Sequence, residues 1–339
     1  MDRLTDAAQL DGWIPVRFYW REGQPMVDWC YLGRKRFADS FFEHTVNKLM
    51  ALPFNLLFRQ QTPISVLDDL HEARPGLKPT GFIFHMSRCG STLITQMLAV
   101  LSGTVVISEA RPLDSVLRAH FRSTQVTDKQ RIAWFQWMVS ALGQKILGNE
   151  KYFLIKFDAW NISELPFIQR AFPDVPWIFN YREPVEVLVS QINHRGPHMV
   201  PGVIDPTLFG MNVDEIATVE PEEYCARVLG AICEAGLRYS ANGGLLINYE
   251  ELPEATWRLI SEFFGLGCNE AEIEMMKNTA KLDAKNPAMI FERDSIKKQQ
   301  QASERVREAA RKWVAPVYEK LEAARKRQFP NIREPKNSG

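Results

Sequence analysis

The chain has 339 residues, of which 45% are apolar and 24% charged, so it can bury a large core as one domain or two modest ones. Its 41 basic and 41 acidic residues cancel, which leaves no overall field to recruit nucleic acid; any anion site has to be assembled locally. No apolar run approaches the roughly 18–20 residues of a membrane helix. The opening MDRLTDAAQLDGW lacks the apolar core of a secretory signal. Five scattered cysteines without a CxxC pair argue against a disulfide framework or a zinc site. The expectation is a cytoplasmic protein with no metal requirement and no nucleic-acid or membrane partner, with a homo-oligomer left open.

In chain order, residues 1–78 form an N-terminal lobe. WIPVRFYW reads as a strand, and VDWCYLGRKRFADSFFEHTV is rich in aromatics. Trp29, Tyr31, Phe41 and Phe42 there are core-packing residues or walls of a pocket. EARPGLKPT closes the lobe with Pro75, Gly76 and Pro79. Residues 79–339 form the second division. Short apolar runs GFIF, TVVIS, YFLIKF, VPWIFNY and GLLINY alternate with the helical segments STLITQMLAVLS, RIAWFQWMVSALGQKIL and PVEVLVSQI. That alternation predicts an α/β fold, three layers α/β/α around a mostly parallel central sheet. The Pro- and Gly-rich stretch 194–214 is long for a loop in a compact domain. It predicts a lid or binding loop, with Met199, Leu208, Phe209 and Met211 facing an apolar acceptor, and with His194 and His198 as proton shuttles or exposed bystanders. SERVREAARKWVAPVYEKLEAARKR ends the pattern as a charged amphipathic helix interrupted near Pro316.

HMSRCGST (85–92) joins an apolar strand to a segment with apolar residues at 93, 94, 97, 98, 100 and 101. A helix start there offers unpaired N–H groups and the positive end of the macrodipole. Gly90 admits an anion to the backbone beside Ser87 and Cys89, Ser91 and Thr92 add hydroxyls, and Arg88 adds charge suited to phosphate oxygens. The segment is thus a P-loop-like phosphate-binding loop or a plain turn. It is not GxxxxGK[ST], because no lysine precedes Ser91. Cys89 heads no CxxxxxR phosphatase loop, since position 95 is threonine. A second motif, REPVEVLVS, sets Arg182 at a strand end and Ser190 two helical turns on. Eight residues at 100° each return Ser190 to within about 80° of Arg182's side, so the two could grip one anion.

SRCGST followed some ninety residues later by R-E-P-x-E-x-x-x-S resembles the sulfotransferases that use 3′-phosphoadenosine 5′-phosphosulfate (PAPS). NYEELPEATWRLISEFFGLG (248–267) is similar to that family's Y-E-D-L segment and the helix after it. The resemblance covers roughly residues 80–267. It implies that the first loop holds the 5′-phosphosulfate and that Arg182 and Ser190 hold the 3′-phosphate. It places Tyr249 at the nucleotide, with Lys297 and Lys298 assisting the 3′-phosphate. Leu93 stands where many cytosolic members have an adenine-stacking Trp, and no R-K-G segment follows, so the chain looks closer to bacterial-type members.

Charged residues end several of the apolar runs: Glu109, Lys156 with Asp158, Arg182, and Tyr249-Glu250. In an open parallel sheet those are the ligand-binding ends. Catalysis would fall to Arg88 for leaving-group charge, Lys156 for the sulfuryl oxygens, and Glu109 or Asp158 as general base. Either carboxylate could instead only pair with Arg111 or Lys156. The expected reaction is sulfuryl transfer to a hydroxyl or amine of a small, apolar or aromatic acceptor. The alternatives are a P-loop kinase acting on a small metabolite and a nucleotide-binding interaction protein without activity.

Overall fold

The computed structural model describes residues 10–328. Residues 1–9 of the N-terminal lobe and the last eleven residues of the second division lie outside the described residues.

An antiparallel sheet of order β1-β2-β3 comes first, from β1 (Trp13–Arg21), β2 (Gln24–Tyr31) and β3 (Gln60–Pro63). Its register slips between Pro15 and Arg17, at the one residue of β1 that has no N–H for the ladder. The second sheet has five strands in the order β5-β6-β4-β7-β8. They are β4 (Gly81–His85), β5 (Thr104–Ser108), β6 (Tyr152–Lys156), β7 (Trp177–Tyr181) and β8 (Leu245–Asn248), each on one of the five apolar runs. Every residue of β4, β5 and β7 is buried. Unbroken burial leaves no solvent-facing side on those strands, as expected of a parallel sheet covered by helices on both faces. The architecture is α/β, as the alternation predicts.

The described chain groups into two compact units. One runs through Phe84, Ser91–Pro176 and Pro253–Glu292; the other takes His85–Gly90, Trp177–Leu252 and the chain from Arg293 on. In the first unit, β5 and β6 pair in parallel, with Ser108 opposite Lys156, and β4 pairs with β6, with Ile83 also opposite Lys156. That register sets Lys156 and the residues after β5 in one row at the carboxyl ends. Glu109 then donates its backbone N–H to the Lys156 carbonyl at 2.8 Å.

In the second unit, β7 pairs in parallel with β8, Tyr181 opposite Asn248. Helix Pro184–Asn193 starts with proline in its first turn, where the missing N–H has no helical partner to lose. The long helix Pro221–Ser240 packs on helix Glu304–Trp313. The contact is close: a Cβ on Gly230 would lie 2.5 Å from the Trp313 carbonyl oxygen. The terminal helix breaks after Trp313 and resumes at Ala315–Gln328, with Pro316 in the new first turn and Val306, Ala309, Ala310, Val317 and Leu321 buried. No helix among the described residues is long and apolar enough to cross a membrane.

Residues 194–214 are the stretch expected to be a lid or binding loop. They carry two short 3-10 turns, Pro197–Met199 and Pro206–Phe209, both in contact with helix Pro221–Ser240. Met199, Phe209 and Met211 are buried there, and so is His198. Three of the four apolar residues read as a lid lining are thus out of water, with Leu208 half-buried.

Candidate active site

Each unit holds a cluster of the sequence-predicted residues. In the second unit, the 85–90 segment bends through left-handed backbone at Ser87 (φ 75°), Arg88 (φ 52°) and Gly90 (φ 87°). Only glycine adopts that region without strain, and each non-glycine residue there costs about 1–3 kcal/mol. Hydrogen bonds offset the strain. The Ser87 N–H donates to His85 Nδ1 at 2.9 Å, Gln191 Nε2 donates to Ser87 Oγ at 2.8 Å, and Met86 N–H donates to the Asn180 carbonyl at 3.0 Å. Gly90 has no room for a side chain, since a Cβ would sit 2.7 Å from Leu252 and 2.8 Å from the Tyr249 ring. Cys89 is buried, and its thiol points at the Asn180 carbonyl at 3.1 Å, which makes it a packing residue.

Arg88 Nε donates to Ser190 Oγ at 2.6 Å, so the loop arginine meets the helix serine directly. Arg182, 4% exposed, ends β7 with its guanidinium 3.9 Å over the Tyr249 ring. Its Nε donates to Glu186 Oε2 at 2.6 Å, one helical turn on, and its Nη2 donates to Asp294 Oδ1 at 2.7 Å and Ser295 Oγ at 3.2 Å. Lys298 Nζ lies 2.8 Å from Asp294 Oδ2, while Lys297 is exposed. Burial works against the Arg182 charge, but Asp294, Tyr249 and Glu186 outweigh it and hold its pKa above the ordinary value. Burial, with Arg182 and Arg88 nearby, pushes the Lys298 ammonium below its usual range despite Asp294. Three cations therefore sit close enough to feel one another. A carboxylate already bridges two of them, so the residues fit an anion with two or more oxygens.

In the first unit, Ser91 and Thr92 open helix Ser91–Ala99 and are both buried. Lys156, 1% exposed, is one of the largest fully buried side chains. Its Nζ lies 2.7 Å from Glu109 Oε1 and 3.4 Å from Thr92 Oγ1, with the Phe41 ring centroid 5.1 Å away. Glu109 is held at φ 55°, the fourth non-glycine residue in left-handed backbone among the described residues; the other is Glu22, in the β1–β2 turn. Burial, then the negative charges of Glu109 and Asp114, push the Asp158 carboxyl well above its ordinary range, against the pull of Lys156 and Arg111. Asp114 is itself engaged, accepting from Trp160 Nε1 at 2.7 Å and Asn161 Nδ2 at 2.8 Å. Arg111 pairs with Glu43 at 3.6 Å. The cluster thus contains a buried lysine, a carboxylate side chain in contact with it and a second carboxyl biased toward holding its proton, which is the usual way two carboxylates acquire different roles.

Of the aromatics flagged in the N-terminal lobe, Trp29 and Phe42 are core, Tyr31 is partly exposed, and Phe41 lies beside Lys156. Sequence reasoning missed Glu186, Asp294 and Ser295. The one signal available was spacing: Glu186 stands four residues after Arg182, and Asp294 four before Lys298. No group of three His, Cys, Asp or Glu side chains among the described residues is placed to hold a metal ion.

No protein-family model and no curated protein matches the chain. Among solved structures it is similar to the sulfotransferase domain of the olefin synthase from Synechococcus PCC 7002, at 16% identity over 74% of this chain and 96% of that one, with a TM-score of 0.39. It is also similar to the sulfotransferase STF9 from Mycobacterium avium (11% identity, 76% and 81% covered, TM-score 0.42). A sulfotransferase from Alicyclobacillus acidocaldarius aligns at 16% identity over 73% and 96%, with a TM-score of 0.42. Identities this low carry no information about donor, mechanism or acceptor.

Proposed function

We propose that the protein transfers a sulfuryl group from 3′-phosphoadenosine 5′-phosphosulfate to a hydroxyl or amine of a small-molecule acceptor. The observation that carries this reading is the 2.6 Å hydrogen bond from Arg88 to Ser190, which joins the Gly90 loop to the helix that follows Arg182. A triphosphate kinase needs a lysine in its loop and has no use for a second, separate phosphate grip at a strand end.

The donor, when bound, supplies an activated sulfuryl group whose leaving group is a phosphate. Arg88 and the amides around Gly90 hold the 5′ end and stabilise the charge that develops on the leaving oxygen. Arg182, with Ser190 and Lys298, holds the 3′-phosphate, and Tyr249 backs the arginine. Lys156 steadies the sulfuryl oxygens. Glu109 takes the acceptor's proton on its carboxylate as the new S–O or S–N bond forms. Burial and the neighbouring carboxylates bias Asp158 toward its protonated form, so the role of base falls to Glu109. Transfer of this kind is mostly positioning and electrostatics, and these residues supply both without a metal. The acceptor is apolar or aromatic, and Phe41 beside Lys156 is one surface for it. The 1–78 lobe, which contributes Phe41, is the part that would vary with acceptor.

A thermal-shift comparison of adenosine 3′,5′-bisphosphate with ADP tests the reading. The bisphosphate should raise the melting temperature markedly more than ADP, with no need for magnesium. An equal or larger, magnesium-dependent effect of ADP would assign the fold to a kinase instead.

A further inference from the structure

We infer that Asp294 is a specificity-determining residue: a built-in counter-anion that occupies the 3′-phosphate grip and has to be displaced by the ligand. The inference rests on the assignment of Arg182 to the 3′-phosphate made above. Asp294 spreads its two carboxylate oxygens over two cations, Oδ1 on Arg182 Nη2 at 2.7 Å and Oδ2 on Lys298 Nζ at 2.8 Å. A phosphate bound to the same pair would need those donor directions. Ser295, the next residue, donates to Glu186 Oε2 at 2.9 Å and accepts from Arg182 at 3.2 Å, so the segment is stitched to the grip by more than one bond.

The two acidic partners of Arg182 differ in character. Glu186 is 9% exposed at its side chain, sits on the same helix as Ser190, and stays with the arginine. Asp294 is 44% exposed at its side chain and stands immediately before the short helix Ser295–Gln301, so it has water to turn into. Left in place, it repels any anion approaching Arg182 and Lys298. A ligand with a single negative charge merely trades one monoanion for another. A phosphate dianion gains charge and oxygens over the carboxylate it replaces, so the grip is biased toward dianions. The apparent affinity is lowered by the fraction of time Asp294 holds the site.

Calorimetric titration of wild type, Asp294→Asn and Asp294→Ala with adenosine 3′,5′-bisphosphate and with adenosine 5′-monophosphate tests this. Both variants should bind the bisphosphate about tenfold more tightly, as expected if Asp294 leaves the grip open about a tenth of the time. The 5′-monophosphate, which has nothing to place on Arg182, should bind all three proteins alike. Unchanged or weaker bisphosphate binding in both variants overturns the inference and makes Asp294 a positioning partner of Arg182 and Lys298. Wild type that binds bisphosphate and monophosphate equally well overturns the assignment of the grip itself, and this inference with it.

Discussion

Glu109 carries three features at one position: a left-handed backbone, an ion pair to a buried lysine, and a neighbouring carboxyl whose proton is held tightly. Strain at a charged residue persists only where the surroundings over-determine it. Replacing Glu109 with Gln should therefore keep bisphosphate binding, which uses other residues, and lower turnover by roughly 10²–10⁴-fold, the usual worth of a general base. Near-normal turnover in that variant would remove Glu109 from the mechanism. Asp158 gives a pH signature. Its folded-state carboxyl holds a proton to higher pH than in the unfolded chain, where Asp ionises near pH 3.9. Its contribution to stability is full below that pH and is lost as pH rises toward the folded value. Asp158→Asn removes the effect. Wild type should thus lose stability relative to the variant as pH rises above about 4, measured as urea midpoints across a pH series. A parallel pair of curves would contradict the assigned shift.

At the scale of elements, the parallel strands bring the chemistry together through register. Ser108, Lys156 and Ile83 share a row, so the residues that follow β5 and β6 reach the same end of the sheet. The helix Pro184–Asn193 follows Arg182 directly and carries two partners for the second unit's arginines, Glu186 for Arg182 and Ser190 for Arg88. The spacing of REPVEVLVS singled out Arg182 and Ser190 but gave no sign that the serine meets Arg88. In the stretch 194–214, Pro and Gly mark irregular backbone and say nothing of whether its apolar side chains find a groove. Helix Pro221–Ser240 supplies that groove and also depends on a close approach to helix Glu304–Trp313. A methyl group at position 230 would have to push against a backbone carbonyl, which cannot rotate away. Gly230→Ala should cost about 1–3 kcal/mol despite alanine's better helix propensity. A stability gain on urea unfolding would show that the two helices can shift apart.

For the whole molecule, a net charge of zero means that any attraction for a polyanionic ligand has to come from a few residues at one place. A ligand gripped this way should protect the folded chain as a whole. At one hundred times its Kd, adenosine 3′,5′-bisphosphate adds about 2.7 kcal/mol to the stability, which is a rise of several degrees in Tm. Arg182→Ala should abolish most of that rise. It should also destabilise the protein without ligand by about 3–5 kcal/mol, because Glu186 is left buried without its cation. Protection of the variant as strong as that of wild type would place the nucleotide elsewhere.

The amino-acid sequence by itself determined the α/β class, the five parallel strands and the two motifs that bear charge at strand ends. These follow from local rules: apolar runs too continuous for a half-exposed strand, helix periods between them, and turn residues at the joins. Only the tertiary structure decided which charges face which. It set Glu109 on Lys156, raised Asp158, seated Phe41 beside the lysine, and put the carboxylate of Asp294 on the cations otherwise open to a phosphate. Those pairings join residues far apart in the chain. Which charges end up as partners depends on what each can reach once water is excluded, and no local pattern encodes that.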